Sequence, residues 1–172
     1  SAHEGWRTGL PPQWYPTHSN AYYVSVTGGC FTEVSCMGMP SEVSHLQAAN
    51  NDYRNPFGSE IALFRTSEGG MSRMAVCWDL PSAHGERGRV YGQRKGDGEV
   101  HTQRPPLPRG VSAGGHGGSH GRLTSEFIDA ILRDRKPWVD IAMSLNMTVA
   151  GIAAHQSALK DGELLKIPQY KM

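Results

Sequence analysis

The sequence has no run of apolar residues near the roughly 18 that a membrane-spanning helix needs. Its first residues, "SAHEGWRTG", lack the basic-then-apolar layout of a secretory signal. A soluble chain with no membrane partner is therefore expected. Cysteine is scarce: Cys30, Cys36 and Cys77 form no CxxC pair, and an odd count of three does not suit a disulfide framework. Small buried hydrophobes are the role left to them. Charge of one sign is lacking too, since 17 basic residues face 16 acidic ones for a net charge of +1. Nothing in that balance draws the chain toward nucleic acid or an anionic surface.

Several chemical signatures are also missing. The glycines of "AGGHGGSHG" do not follow G-x-G-x-x-G spacing and follow no hydrophobic strand, so no phosphate-cradling turn can be assigned. There is no nucleophile elbow, and the eight histidines are scattered. The acidic residues read as belonging to helix surfaces, turns and strand edges, which leaves no carboxylate pair for glycoside hydrolysis.

What is present is a chain of 172 residues, enough for one domain with a core. Its 21 glycines and 11 prolines exceed average usage of about 7% and 5%. Much of the excess lies in residues 85–121, where apolar periodicity is almost absent. A loop that long inside a compact domain is either functional or disordered.

Around that loop the patterning is legible. "PTHSNAYYVSVTGG" predicts a helix starting at Pro16 or Thr17, with a Thr or Ser to cap it and Gly28 and Gly29 to end it. A strand is the alternative, because Tyr, Val and Thr favour strands. "FTEVSCMGM" alternates like a strand with one buried face. "EIALFRTSEGGMSRMAVCWDL" predicts a hairpin around "SEGG", and "GRVYGQ" a further short strand. Leu123, Phe127, Ile128 and Ile131 fall at helical spacing. A second late helix is expected with Asp140 as N-cap, Ile141, Leu145, Thr148, Val149 and Ile152 along one face, and Gly162 as its stop. "ELLKIPQY" would close the chain as a strand. Strands first and helices later, without alternation, predict an α+β fold: an open, mostly antiparallel sheet with helices packed on one face.

Three stretches could carry chemistry. "HGGSH" sets His116 and His120 four apart, a spacing that suits metal ligation on a helix, but the glycines disfavour a helix and no third ligand is evident. A Gly-rich turn meeting a polar ligand, or simply a loop needing unusual φ values, fits as well. "ERGRVYGQRK" concentrates Arg87, Arg89, Arg94 and Lys95, which suits an anion or a solvated strand edge. "WYPTHSN" places Tyr15 and His18 at the N-terminal end of a helix, where the dipole stabilises a developing anion and a histidine can move protons. Spacing alone favours a capped turn with a buried tyrosine and a hydrogen-bonded histidine.

The stretches "YPTHS", "GRVYGQRKG", "HGGSHGRLTSEFIDAILRDRKPWVD" and "MTVAGIAAHQSALKDGELLKIPQY" together resemble the C-terminal domain of the glucose-fructose oxidoreductase, inositol dehydrogenase and MocA (Gfo/Idh/MocA) family. The resemblance covers nearly the whole chain. It implies that residues 1–172 form a substrate-binding and oligomerisation domain, a fragment of a longer oxidoreductase whose N-terminal Rossmann domain binds NAD or NADP and is absent from this chain. Alone, such a fragment would be inactive. Cytoplasmic and periplasmic locations are both compatible with it. The resemblance further implies a sugar, polyol or glycoside substrate, a homo-oligomer formed through the sheet, and His18 as the acid/base assisting hydride transfer. The common pattern has an aspartate four residues before that histidine, where this sequence has Trp14. "YPTH" is similar to the branch of NAD-dependent glycosidases, in which the tyrosine and histidine of this motif, here Tyr15 and His18, act in an oxidation, elimination, addition and reduction cycle. The resemblance implies substrate contacts from Tyr15, His18, Asn20, Arg87, His116 and His120. Two alternatives stand beside the dehydrogenase reading: a glycosidase of that branch, and a non-catalytic self-association domain.

Overall fold

The structure, a computed structural model, describes residues 5–81, 85, 87–92 and 106–171. The chain divides into two compact units, Ser1–Val100 with Leu145–Met172, and His101–Ser144.

The first unit is built on a four-stranded antiparallel sheet in the order β3-β2-β1-β4. Its strands are β1 (Phe31–Met39), β2 (Ser59–Thr66), β3 (Met71–Cys77) and the two-residue β4 (Leu165–Lys166). The "SEGG" turn joins β2 to β3 as expected, with Gly69 at φ 79 supplying a conformation that side chains resist. In β1 a register irregularity between Phe31 and Glu33 lets Phe31 share the buried side with Val34 and Cys36, which strict alternation forbids.

Helix α1 (Thr17–Thr27) ends at Gly28 in the left-handed region, whose N–H donates to the Val24 carbonyl. Pro16 holds the N-cap position and no side chain caps the helix, so the expected Thr or Ser cap is not made. Proline has no N–H to satisfy and its φ is already near helical. Helix α3 (Ile141–Ala158) does begin on Asp140, whose Oδ1 accepts the Met143 N–H at 2.8 Å. Its buried residues include Met147, Ala150, Gly151, Ala154, His155 and Ala158. The expected apolar face is not the buried one, since Ile141 and Ile152 are both exposed. Small residues let α3 approach its neighbours closely, a gain that bulkier side chains would forfeit.

"GRVYGQ" forms no strand among the described residues; Arg89 alone makes an isolated bridge. The second unit contains α2 (Gly115–Leu132), so the Gly-rich stretch 85–121 ends inside a helix. That helix is broken at His116, Gly117 and Gly118, all at positive φ. Leu123, Phe127, Ile128 and Ile131 lie on α2 as predicted and are exposed. No helix among the described residues is long and apolar enough to cross a membrane.

Candidate active site

Residues 11–18 run from a single 3-10 turn (Pro12–Trp14) into α1, and they are clamped from below. Glu60 of β2 is fully buried. Its Oε2 accepts the backbone N–H of Gln13 at 2.7 Å and its Oε1 lies 2.6 Å from His155 Nδ1. A buried carboxylate is tolerable only when its oxygens are satisfied in this way. The Gln13 side-chain amide reaches the carbonyls of Glu60 and Met74 at 3.3 and 3.4 Å. On the other side Gly151 of α3 leaves room for the loop: a Cβ there would sit 2.0 Å from the Gln13 carbonyl and 2.7 Å from the Pro16 ring.

This clamp presents two rings together. Tyr15 and His18 stack with centroids 4.1 Å apart and planes 17° from parallel, and both are half-buried. The Arg7 guanidinium lies 5.1 Å from the Tyr15 centroid, and Trp78 packs an edge against the same ring at 5.8 Å. Trp78 is itself held by donation from Nε1 to the Leu10 carbonyl at 2.8 Å. Trp14 turns away from this pair and packs edge-on against His155 and Tyr53. The stack therefore offers an imidazole beside a phenol at a helix N-terminus, a pairing that can hold a substrate hydroxyl and move its proton.

The other predicted residues fall elsewhere. Asn20 is fully buried and donates from Nδ2 to the Met147 carbonyl at 2.9 Å, which ties α1 to α3. Its Nδ2 is thereby committed to holding α1 against α3, while its Oδ1 makes no hydrogen bond among the described residues. Arg87 is exposed and lines a cavity on the flank of α1 whose lining includes neither Tyr15 nor His18. His116 and His120 belong to the second unit, where their rings lie 4.8 Å apart, His116 within the break in α2 and His120 just after it. No group of three His, Cys, Asp or Glu side chains among the described residues could hold a metal ion.

No family model matches the sequence, and no curated protein matches it. Solved structures do match in fold. Myo-inositol dehydrogenase from Lactobacillus casei, in complex with NAD(H) and myo-inositol, has a TM-score of 0.63 at 13% identity, over 96% of this chain and 51% of that one. A myo-inositol dehydrogenase described as putative, from Sinorhizobium meliloti 1021, also scores 0.63 at 16% identity, over 84% of this chain and 46% of that one. Levoglucosan dehydrogenase in complex with NADH and L-sorbose scores 0.52 at 13% identity, over 81% of this chain and 45% of that one. The fold is that of the C-terminal domain of Gfo/Idh/MocA enzymes. The chain spans about half the length of the structures it matches.

Sequence reasoning missed Glu60 and His155, which hold the site together from 95 residues apart. The one signal for Glu60 was a carboxylate inside the apolar alternation of "EIALF". Cys36, on the same buried sheet face, has its thiol pushed up to about 12 by burial and, secondarily, by the Glu60 charge, so it stays un-ionised. Cys30 and Cys77 are half-buried, and all three cysteines are reduced.

Proposed function

We propose that the chain is the substrate-side part of an NAD(P)-dependent oxidoreductase acting on a sugar, polyol or glycoside, with His18 as its acid/base and Tyr15 as its partner. The carrying observation is the Tyr15–His18 stack, built on a buried clamp in a fold whose solved examples include sugar and polyol dehydrogenases. The sequence has no dinucleotide fingerprint. A bound nicotinamide would supply the hydride acceptor. Tyr15 orients the substrate hydroxyl, and His18 holds and moves its proton at an imidazole nitrogen. Arg87 on the flank of α1, and His116 and His120 within the second unit, keep ligand contact as their proposed role.

In the protein encoded by the complete reading frame, His18→Ala should lower kcat for a sugar or polyol substrate by about 10²–10⁴-fold, the usual share of a positioned acid/base. Tyr15→Phe, which preserves the stack, should cost less. Turnover unchanged by His18→Ala would overturn the assignment.

A second property rests on its own observation. Met37, Met39, Ile61, Leu63 and Met71 are all at least half exposed on the sheet face opposite the core. Contiguous apolar surface of that kind marks an interaction site. We infer a homo-oligomer formed through this face.

A further inference from the structure

The cavity on the flank of α1 is distinct from the Tyr15–His18 pair. It has a volume of about 610 Å³ and lies between α1, the edge strand β3 and residues 87–91. That size falls within the range of small-molecule sites. Its lining includes three arginines, Arg73, Arg87 and Arg89, and among the described residues no carboxylate. Three arginines elsewhere have carboxylate partners: Arg65 faces Glu33, Arg133 faces Asp129, and Arg135 faces Glu126 and Asp129. Among the described residues none of the three cavity arginines makes an ion pair or a hydrogen bond through its side chain.

Backbone packing holds the main chain of two of them. Gly88 lies flat on the Tyr22 ring, so close that a Cβ there would be 2.2 Å from its atoms. Residues 87 and 89 are thereby pinned on either side of a contact with α1. The hydroxyls of Ser19 and Ser72 share the lining, while Met74 and Val90 give it an apolar floor. Three like charges at one concave site repel one another until an anion arrives, and a guanidinium fork matches the paired oxygens of a carboxylate or phosphate. The chain's net charge of +1 gives no general pull toward a nucleic-acid strand, which favours a small ligand.

We propose that this groove binds the oxyanion of a small molecule, a carboxylate or a phosphate monoester, through Arg73, Arg87 and Arg89. The proposal does not depend on the hydride-transfer reading, because it is read by binding and not by turnover. The test is an amide NMR titration of the chain with inorganic phosphate, glucose 6-phosphate, gluconate and neutral glucose, at low salt. Phosphate or gluconate should shift the amides of residues 71–75 and 87–91 while glucose does not, and the preferred probe tells phosphate from carboxylate. The Arg87→Gln, Arg89→Gln double variant should weaken binding about tenfold or more, whereas Arg133→Gln should leave it unchanged. The proposal is overturned if no probe shifts these amides, if the double variant binds equally well, if glucose matches the anions, or if a short single-stranded oligonucleotide outcompetes every small anion.

Discussion

Strand β2 presents two faces that invert the ordinary rule. Inward it carries Glu60, Ala62 and Phe64, all buried; outward it carries Ile61, Leu63 and Arg65, all exposed. The buried carboxylate is stable because the Gln13 N–H and the His155 ring meet both its oxygens. The exposed aliphatics have no such compensation within the described residues, and that asymmetry separates the two jobs of the sheet. One face holds the Trp14–His18 segment in place, and the other is left for another surface.

The sharpest way to break the comparison is at Glu60. Glu60→Ala leaves the Gln13 N–H and His155 buried without their acceptor, a loss of the kind that costs about 3–5 kcal/mol. A fall in the chemical-denaturation midpoint of matching size is expected, with loss of the Tyr15–His18 ring contacts by NMR. A midpoint within experimental error of the parent would mean that the inner face does not depend on the hydrogen bonds of Glu60. Gly151→Ala comes next. Its methyl would meet the Gln13 carbonyl and the Pro16 ring, and overpacking of that kind costs about 1–3 kcal/mol. It should also displace Tyr15 and His18, so His18→Ala and Gly151→Ala should not add in kcat.

How much of this was legible in the sequence depends on which physics was local. Glycine and proline punctuation set the element boundaries: Gly28 ends α1, "SEGG" turns the hairpin and Asp140 starts α3. The Tyr15–His18 juxtaposition was also local, three residues apart on a helix start. Facing was not. Nothing in the pattern of "EIALF" says which side meets a helix, and a strand shifted by one residue exchanges its faces. Glu60 is satisfied inside by His155, a residue 95 positions away in the sequence, and α3 buries alanines and Gly151 because close approach outweighs side-chain area there. "GRVYGQ" failed as a strand prediction because its β propensity found only one bridging position, at Arg89.

A half-buried carboxylate in the second unit sharpens the contrast with Glu60. Arg135 donates to Glu126 through two nitrogens, at 2.9 and 2.8 Å. Those hydrogen bonds, with help from the Trp138 N–H and Arg135's charge, hold the Glu126 carboxyl down at about 2, below its ordinary 4.5. A depressed carboxyl contributes stability that is full above the unfolded-state value and is lost as pH falls through the folded one. The Arg135→Gln variant and the parent should therefore differ in unit stability above about pH 4.5 and converge toward pH 2, as read by the acid limb of a helicity titration. A constant difference across that window would remove Glu126 from the account.

The smallest effect on stability is expected on the outer face. Ile61→Lys with Leu63→Lys should change the unfolding free energy by no more than about 1 kcal/mol, because both side chains are already exposed by half. The same pair should abolish self-association, since two charges would have to be desolvated at the centre of any sheet-to-sheet contact. Light scattering distinguishes the outcomes: a parent that is oligomeric and a double variant that is monomeric support the separation of faces. A parent that is already monomeric would leave Ile61 and Leu63 with some other occupant, and a large loss of stability in the variant would show that the outer face is part of the core.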